Sequence, residues 1–502
     1  MPRLLATICV LSLCNIASAQ TPAVSEQGAA VQDPVPLTQD PGTGDPVAST
    51  PQPAPANEAS PKPAANPAAT AYKDPFYNND FSYLNSPDYC DWHLGEGWKQ
   101  LHHPCQDITW DFSGQYRMRY HREQNHRGLG LTGRDDSFLL HRTRLYGDVK
   151  AYGGLRGYVE YLDAVSEHET FAPRPIEENR SDLLNAFGDM LLVDNGCGEL
   201  WARVGRQELL YGAQRLASPL DWANTRRTFE GAKVFWRGEE WDADAFWTMP
   251  VAPDAKNFDQ AIDSQEFLGT WLTWKEAPDG PLDLYFLRYA EYDGATDFDF
   301  NTFGARWNGS YHCWQWDLQG AYQFGEFGAA DVNAGMFTAG IGRSWKNTPW
   351  QWELWTYYDW ASGDDVQGAG FHHLFPLAHK YLGLMDLFGR RNITDWNFVA
   401  KAKPTKKLQF LAWYHIFHLE NGNDIPYNVV MGPSPGMPLM PGGSTDLGQE
   451  LDFTLAYTLN ERSSVLFGYS HFWSGDWFDT NPTAGLFNGD GSFYYTQWTL
   501  NF

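Results

Sequence analysis

The sequence predicts an all-β fold: a transmembrane antiparallel β-barrel of the outer-membrane type, with about 18 strands. Three observations predict it. A long segment near the start of the folded region alternates between apolar and polar side chains, short and long connections alternate along the chain, and the last residues form an amphipathic strand with an aromatic end.

Residues 108–121 form the first predicted strand. Apolar or small side chains occupy its even positions, whereas polar side chains, including Arg117 and Arg119, occupy its odd positions. Soluble strands usually run about 5–6 residues, and this one is long enough to cross a bilayer at a tilt. Since an arginine facing the lipid midplane would cost about 2–4 kcal/mol, we expect Arg117 and Arg119 to point into the lumen.

After residue 106, alternating segments are joined by two kinds of connection, tight turns with hairpin chemistry and longer loops. The tight turns are predicted at Gly153-Gly154, Asp194-Asn195-Gly196, Gly238-Glu239, Pro278-Asp279-Gly280, Asn308-Gly309, Asn347-Thr348-Pro349, Pro404-Thr405 and Asn460-Glu461-Arg462. The longer loops are predicted at about 122–136, 166–182, 207–229, 251–265, 293–300, 325–333, 362–394, 420–447 and 475–491. These connections join about 18 strands, and an even number places both ends of the barrel domain on the short-turn rim, which faces the periplasm in bacterial barrels.

The closing strand supports this assignment. Tyr494, Thr496, Trp498 and Leu500 share the face that we expect to meet outer-membrane lipid. The chain then ends on Phe502, and a terminal aromatic residue on such a strand resembles the signal that the barrel-insertion machinery recognises. We therefore expect the lipid bilayer and this machinery to be partners of the chain.

The residues before the barrel divide into three parts. Residues 1–19 contain a basic residue, an apolar stretch and a small-residue cleavage motif, which together predict a secretory signal. Residues 20–72 are rich in Pro and Ala and predict a disordered periplasmic linker. Residues 73–106 form a pre-barrel segment, and residues 107–502 form the barrel, which we place in the outer membrane of a Gram-negative-type bacterium.

The cysteines that follow the signal predict one disulfide. Cys90 and Cys105 lie close in sequence just before the first strand, and such pairs tend to form in an oxidising compartment. The tryptophans and histidines between them would then form a small plug or cap, with a zinc site as the less favoured alternative. Whether Cys197 and Cys313 are free stays open.

Composition narrows the class further. With 62 acidic and 36 basic residues the net charge is −26, which excludes nucleic acid as a partner because phosphate contacts need clustered cationic surface. No run of about 18 apolar residues follows residue 20, so the sequence predicts no transmembrane helix. The 23 tryptophans and 16% aromatic content are typical of the interfacial girdles of a barrel.

Charges on the predicted lumen face differ between the two parts of the barrel. Basic residues from the first six strands are Arg117, Arg119, Arg142, Arg144, Lys150, Arg156, Arg203, Lys233 and Arg237. Later strands contribute mainly acids, namely Asp242, Asp244, Asp317, Glu353, Asp359, Glu450 and Asp452. Opposed walls of this kind would orient polar solutes and set ion preference, and the alternative is that the charges pair with neighbouring strands and hydrate the lumen.

Four segments carry a family resemblance. RVGRQELLYGAQRLASPLDWANTRRTFEGAKV (203–234) resembles the hallmark segment of the alginate export family, and FPLAHKYLGLMDLFGRRNITDW (375–396), GQELDFTLAYTLN (448–460) and GYSHFWSGDW (468–477) resemble that family in order. The resemblance implies an eighteen-stranded channel whose arginines attract a polyuronate, without ATP and with possible periplasmic export partners. The residues that it nominates are Arg117, Arg119, Arg142, Arg144, Arg203 and Arg206.

The function expected is therefore passive export or diffusion of an anionic polysaccharide, alginate-like in chemistry, through an Arg-lined lumen. The acidic later strands leave open a general or sugar- or anion-selective porin, and the loops leave open a structural or adhesive surface barrel. No nucleophile motif surrounds any serine, so we predict that the protein is not an enzyme. We also predict no cofactor and no metal. Metal binding by His372 and His373 is the weaker alternative to loop packing.

Overall fold

The computed structural model describes residues 66–103, 107–128, 130–292, 294, 296–484 and 489–502. Within this part of the chain, eighteen long strands form one antiparallel sheet. Their bounds are β1 Ile108–Gln124, β2 Asp136–Ala151, β3 Leu155–Glu167, β4 Asn179–Asp194, β5 Gly198–Gln207, β6 Phe229–Gly238, β7 Trp241–Ala252, β8 Gln265–Trp274, β9 Leu282–Glu291, β10 Phe298–Tyr311, β11 Trp314–Phe327, β12 Ala330–Ser344, β13 Glu353–Ala361, β14 Ile393–Thr405, β15 Leu408–His418, β16 Asp446–Asn460, β17 Ser463–Ser474 and β18 Gly491–Asn501.

The sheet closes on itself. Strand β1 pairs with β2 on one side, and on the other side it pairs with β18 in a register that runs from Gln115 opposite Asn501 to Gln124 opposite Ser492. A closed ladder removes the unpaired edges that an open sheet would expose. The predicted fold class, an antiparallel barrel of eighteen strands, is confirmed.

The two faces of β1 differ as its alternation predicts. Phe112 and Met118 are 50% and 36% exposed on the outer face, whereas Arg117 and Arg119 are 2% and 1% exposed on the other. Exposed Val, Leu, Ile and aromatic side chains recur around the outside of the barrel, where lipid would cover them.

Three connections differ from the sequence prediction. Asn308 and Gly309 do not form a turn, since they pair with Asp317 and Trp316 inside the β10–β11 ladder and the chain turns at residues 312–313. Strand β14 likewise continues through Thr405 before its turn. The expected loop at 325–333 shrinks to residues 328–329, because strand pairing extends to both sides of it.

Helical structure is sparse. Five 3-10 turns are described, at Pro67–Thr70, Phe76–Asn78, Ser82–Asn85, Glu96–Trp98 and Ala378–Lys380, together with one short α-helix, α1, at Asp476–Thr480. Two-residue strands at Leu101–His102 and Gln260–Ala261 extend the hairpins of β1 and β7. No helix in the described ranges has the length and apolarity needed to span a membrane.

The residues before β1 are more ordered than the sequence suggested. Residues 66–72, which we assigned to the linker, already form a 3-10 turn with Ala68 and Ala71 buried. The tryptophans expected in a cap lie outside, with Trp92 75% exposed and Trp98 54% exposed. Cys105 lies outside the described residues, so its disulfide with Cys90 stays a prediction.

Candidate functional site: a charged barrel interior filled by three segments

Three segments fold into the interior of the barrel. The first inserted loop is residues 208–228, between β5 and β6, and the second inserted loop is residues 362–392, between β13 and β14. The N-terminal plug is residues 66–81, which precede β1. Side chains of both loops, together with inward-facing residues of the wall, form most of the large buried cluster. Where the loops lie, the interior is therefore a packed core rather than an open tube.

Arginines of β1 and β2 hold the backbone of the first inserted loop. Arg117 donates to the carbonyl oxygens of Asp221 (2.7 Å) and Ala223 (3.0 Å), and Arg119 donates to that of Trp222 (2.9 Å). Arg142 adds a hydrogen bond to the Asp221 carboxylate at 2.7 Å. These charge-assisted bonds satisfy loop carbonyls that would otherwise be buried without donors.

These three arginines, and Arg144 and Arg203 of the same wall, each have one buried N–H group without a hydrogen-bond partner in the part of the chain that the structure describes. Arg117 Nε, Arg119 Nη2, Arg142 Nε, Arg144 Nη2 and Arg203 Nη1 are buried and have no hydrogen-bond acceptor among the described residues. A buried donor without an acceptor costs about 1–3 kcal/mol.

Strand residues Arg203 and Lys233 are paired with wall carboxylates. Arg203 donates twice to Asp189, from Nε at 2.7 Å and from Nη2 at 2.8 Å, and Lys233 Nζ lies 3.2 Å from Asp244. Arg144 Nε donates to Glu160 at 2.6 Å. The basic wall thus contains carboxylates that pair with its arginines and its lysine. The charge pattern of the sequence left this pairing open.

Three other predicted basic residues lie elsewhere. Lys150 is half-exposed near the short-turn rim, 3.6 Å from Asp148, and the partly exposed Arg237 pairs with Asp244. Arg206 lies on the opposite face of β5 from Arg203, because it shares strand parity with the exposed Val204, and it bonds Glu230 at 2.6 Å. Strand alternation separates Arg206 from the inner face to which the family resemblance assigned it.

The acidic residues of the later strands meet basic groups and backbone donors. Asp317 accepts from Arg215 of the first inserted loop at 2.7 Å and from Arg306 of β10 at 2.8 Å. Asp359 accepts from Arg390 of the second inserted loop. Glu353 accepts from Lys401 of the neighbouring strand at 2.7 Å.

Glu450 and Asp452 of β16 hold the second inserted loop by its backbone. Glu450 accepts from the Met385 amide at 2.9 Å, and Asp452 accepts from the Leu384 amide at 3.3 Å. Gly383 precedes them with φ +84°, and a Cβ there would lie 2.6 Å from the Glu450 carboxyl. Only glycine permits this close approach.

The first inserted loop therefore bridges the two walls. Its carbonyl groups at residues 221–223 face the basic wall, and its Arg215 docks on the acidic wall. The second inserted loop packs along it: Phe375 N donates to Leu216 O at 3.0 Å, and Leu377 N donates to Gln214 O at 2.9 Å. The two longest family-like segments of the sequence, 203–234 and 375–396, overlap these two loops: the first contains the whole of the first loop and the second contains the C-terminal part of the second loop.

The histidines that raised a metal site are used in packing. His372 Nδ1 accepts from the Leu374 amide at 3.0 Å, and His373 Nδ1 accepts from the Arg390 amide at 3.2 Å. The His372 ring stacks near Phe300, with centroids 4.8 Å apart. Both Nδ1 atoms thus serve the second inserted loop.

Sequence reasoning missed the N-terminal plug. Tyr72, Phe76, Tyr77 and Phe81 are buried against inward-facing aromatic residues of β2, β3 and β4. Tyr77 OH donates to the backbone carbonyl of Glu208 at 2.7 Å, which joins the plug to the first inserted loop. The available signal was the aromatic spacing within residues 72–81, directly after a Pro- and Ala-rich stretch without aromatic residues.

Comparisons with known proteins agree with this architecture. The sequence matches the family model described as alginate export over residues 109–485. Structures of similar fold include Pseudomonas aeruginosa OpdO (12% identity, 78% of this chain and 96% of that chain, TM-score 0.52), P. aeruginosa OccK8, also called OprE (13%, 78%, 98%, 0.52), and Acinetobacter baumannii OccAB1 (12%, 78%, 96%, 0.53). At these identities the likeness concerns the fold.

Among curated protein sequences, none matches this chain significantly. The family match spans more than half of the chain, and the closed barrel agrees with it. The chain therefore belongs to the alginate export family and is an outer-membrane β-barrel for transport.

Proposed function

We propose that the protein is a channel for passive export or diffusion of an anionic polysaccharide, an alginate-like polyuronate, which moves past the arginines of the barrel interior. The observation that carries the proposal is the row formed by Arg117, Arg119 and Arg142, whose guanidinium groups bind neutral carbonyl oxygens of a loop and retain unused N–H donors. Family membership favours the same substrate class.

The chemistry of the row suits a polymer with one carboxylate on each sugar. A planar guanidinium group binds a carboxylate through two parallel hydrogen bonds. Several such groups in sequence would pass a carboxylate from one to the next, provided that each site binds weakly. The loop carbonyls occupy the other donors of these groups at present, so the polymer would exchange with them one sugar at a time.

The acidic wall has a complementary role in this proposal. Glu450 and Asp452, which bind backbone amides of the second inserted loop, would repel a polyanion. They would keep the polymer on the side of the arginines. Because Asp317 and Glu450 also bind the inserted loops, the acids would retain the loops on their own wall while the loop face toward the arginines opens.

Planar-bilayer recordings of the full-length protein test the substrate class. Oligouronates added on the short-turn side should reduce the ionic current at concentrations where neutral oligosaccharides of equal length do not. High salt should weaken the effect, since screening shortens the range of charge attraction. Equal block by charged and neutral oligomers would contradict the polyuronate assignment.

A selective channel for small anions or sugars is the second candidate. The observation that favours it is the filling of the interior by the two inserted loops, which leaves a polymer no open path without loop movement. Block by monosaccharides or small carboxylates, together with no effect of long polyuronates, would identify this function.

The orientation and the partners expected from the sequence are consistent with a polymer that enters the barrel from the periplasm. The short-turn rim and the plug would face the periplasm, where export proteins would deliver the polymer to residues 66–103. Phe502 lies at this rim, where its carbonyl oxygen accepts from the Gly114 amide at 2.9 Å, and we propose that the barrel-insertion machinery recognises its aromatic ring before the barrel closes.

A further inference from the structure

The N-terminal plug places a carboxylate on a buried arginine of the first inserted loop. Asp74 pairs with Arg226 Nη2, while Glu208 and Asp221 of the same loop pair with the other two donor positions of that guanidinium group. The side chain of Arg226 is fully buried, and its backbone has φ +61°. This backbone conformation is costly for a residue other than glycine and is concentrated at functional sites. Asp74 is the single one of these three partners that lies outside the loop.

Three further arginines contact the same short stretch of the plug. The Arg144 guanidinium group lies 3.7 Å from the ring centre of Phe76, and the Arg203 guanidinium group lies 4.4 Å from that of Tyr77. Arg156 Nη2 donates to the Tyr77 carbonyl oxygen at 2.5 Å. Arg203 Nη1 is buried without a hydrogen-bond acceptor among the described residues, and Arg144 Nη2 has none closer than the Glu208 carboxylate at 3.8 Å. The chamber around the plug thus holds donors that the plug does not use.

Aromatic side chains lie on the same wall, interleaved with these arginines: the Arg203 guanidinium group lies 3.7 Å from the ring centre of Phe187. Tyr146, Tyr158 and Phe187 form a stacked row, with successive ring centroids 5.4 Å and 5.1 Å apart and interplanar angles of 28° and 18°. The plug covers this row with the rings of Phe76 and Tyr77, at centroid distances of 5.3–6.0 Å. The plug thus presents a carboxylate to arginines and ring edges to an aromatic row.

The plug is attached in a way that permits withdrawal. Its backbone hydrogen bonds close turns within the segment, as from Asn78 N to Pro75 O and from Asp80 N to Ala71 O, both 2.9–3.0 Å. Its contacts with the wall and the loop are made largely by side chains, such as Tyr72 OH with Ser113 Oγ at 3.0 Å.

We propose that the plug occupies a binding site for uronate residues of the transported polymer, with Asp74 in the position of a sugar carboxylate. In the withdrawn state, Arg226 Nη2, Arg144 Nη2 and Arg203 Nη1 donate to sugar carboxylates, while the other donors of these arginines keep their protein carboxylates. The row of Tyr146, Tyr158 and Phe187 supports the sugar rings. The plug and the polymer then exclude each other, so that arrival of polymer at the short-turn rim opens its own entrance. The identity of the ligand rests on the proposed function above.

The test measures binding of a uronate trisaccharide to the full-length protein by titration calorimetry, with a neutral trisaccharide for comparison. Asp74→Asn removes the competing charge with little change in shape, and Tyr77→Phe removes only the hydrogen bond to Glu208. Asp88→Asn changes an exposed aspartate of the same N-terminal region and is the matched control. Because a protein whose site is occupied by its own segment binds ligand with reduced apparent affinity, Asp74→Asn should bind the uronate about tenfold tighter, Tyr77→Phe should bind with an intermediate gain, and the control should equal the wild type.

Each other outcome overturns the inference. Unchanged uronate affinity in Asp74→Asn, with wild-type current still blocked by polyuronate, leaves the proposed function intact and removes the plug from it. An equal gain for the neutral trisaccharide shows a steric plug without a carboxylate site. No uronate binding or current block by any form removes both proposals together.

Discussion

The indole of Trp222 stacks on the imidazole of His379, with ring centroids 3.6 Å apart and an interplanar angle of 11°. Trp222 belongs to the first inserted loop and His379 to the second, so this contact joins the two segments that fill the barrel. The Arg119 guanidinium group lies 3.8 Å from the same indole, which ties the pair to the basic wall through a cation–π contact.

Trp222→Ala should therefore loosen both inserted loops. Removing a buried tryptophan costs about 3–5 kcal/mol where the site cannot collapse, and the loss here falls on loop packing rather than on the strand ladder. We expect a higher single-channel conductance in planar bilayers. Trp247→Ala, on the outer face and 48% exposed, should leave the conductance unchanged, and the same conductance in both variants would contradict the role of Trp222.

Gly383→Ala should displace the backbone of the second inserted loop from Glu450. The positive φ costs an alanine about 1–3 kcal/mol, and its Cβ would also lie 2.6 Å from the carboxyl group. We expect faster amide hydrogen exchange at Leu384 and Met385. Gly436→Ala is the matched control, because Gly436 has φ +89° with open space around it; an equal effect on exchange in the two variants would attribute the change to backbone strain alone.

Replacing Arg117, Arg119 and Arg142 together by Gln should lower the preference of the channel for chloride over potassium. Three positive charges are lost from one wall, while the glutamine side chains retain a donor for the loop carbonyls. The measurement is the reversal potential in a salt gradient. Arg180→Gln removes a half-exposed arginine paired with Asp163 and should not shift the potential, and an unshifted potential in the triple variant would show that the three charges do not face the conducting path.

The packing of the N-terminal region should tighten as pH rises from about 8 to about 10. Burial, with a smaller contribution from Arg462, lowers the pKa of Lys99 from 10.5 to about 8, and Lys99 Nζ lies 4.9 Å from the ring centre of Phe81 in the plug region. Above pH 8 the packed form sheds the proton that the unpacked form still binds, so stability increases with pH up to the ordinary pKa.

Chymotrypsin cleavage at the aromatic residues of 72–81, normalised at each pH to an unstructured peptide, would report this change. Cleavage should slow toward pH 10 in the wild type and stay level in Lys99→Met. Lys73→Met, at an exposed position, should follow the wild type. A level profile in the wild type would remove the linkage to Lys99.

Side-chain alternation and turn chemistry were sufficient to predict the barrel from the sequence. From Arg117 to Gln124 the odd positions of β1 are buried and the even positions are exposed, as the sequence requires of a strand between lipid and interior. The misplaced turn at Asn308-Gly309 shows where local chemistry fails, because an Asn-Gly pair tolerates a turn but does not force one when neighbouring strands offer a longer ladder.

The contacts inside the barrel could not be predicted from strand alternation. Sequence parity gave the inward direction of Arg117, Arg119, Arg142 and Arg144, yet it did not show that backbone carbonyls and aromatic rings would cover them. Those partners lie about 80–105 residues away along the chain for Arg117, Arg119 and Arg142. Such pairings leave no periodic signal.

The sequence by itself determined the closed antiparallel barrel, since an alternating strand has one stable orientation between lipid and a polar interior. Only the tertiary structure decided what fills that interior: two inserted loops that bridge the basic and acidic walls, and a plug that brings Asp74 to Arg226. Strand direction depends on the nearest neighbours in the chain, whereas loop and plug placement depends on which distant charges, rings and backbone groups satisfy one another once the barrel has closed.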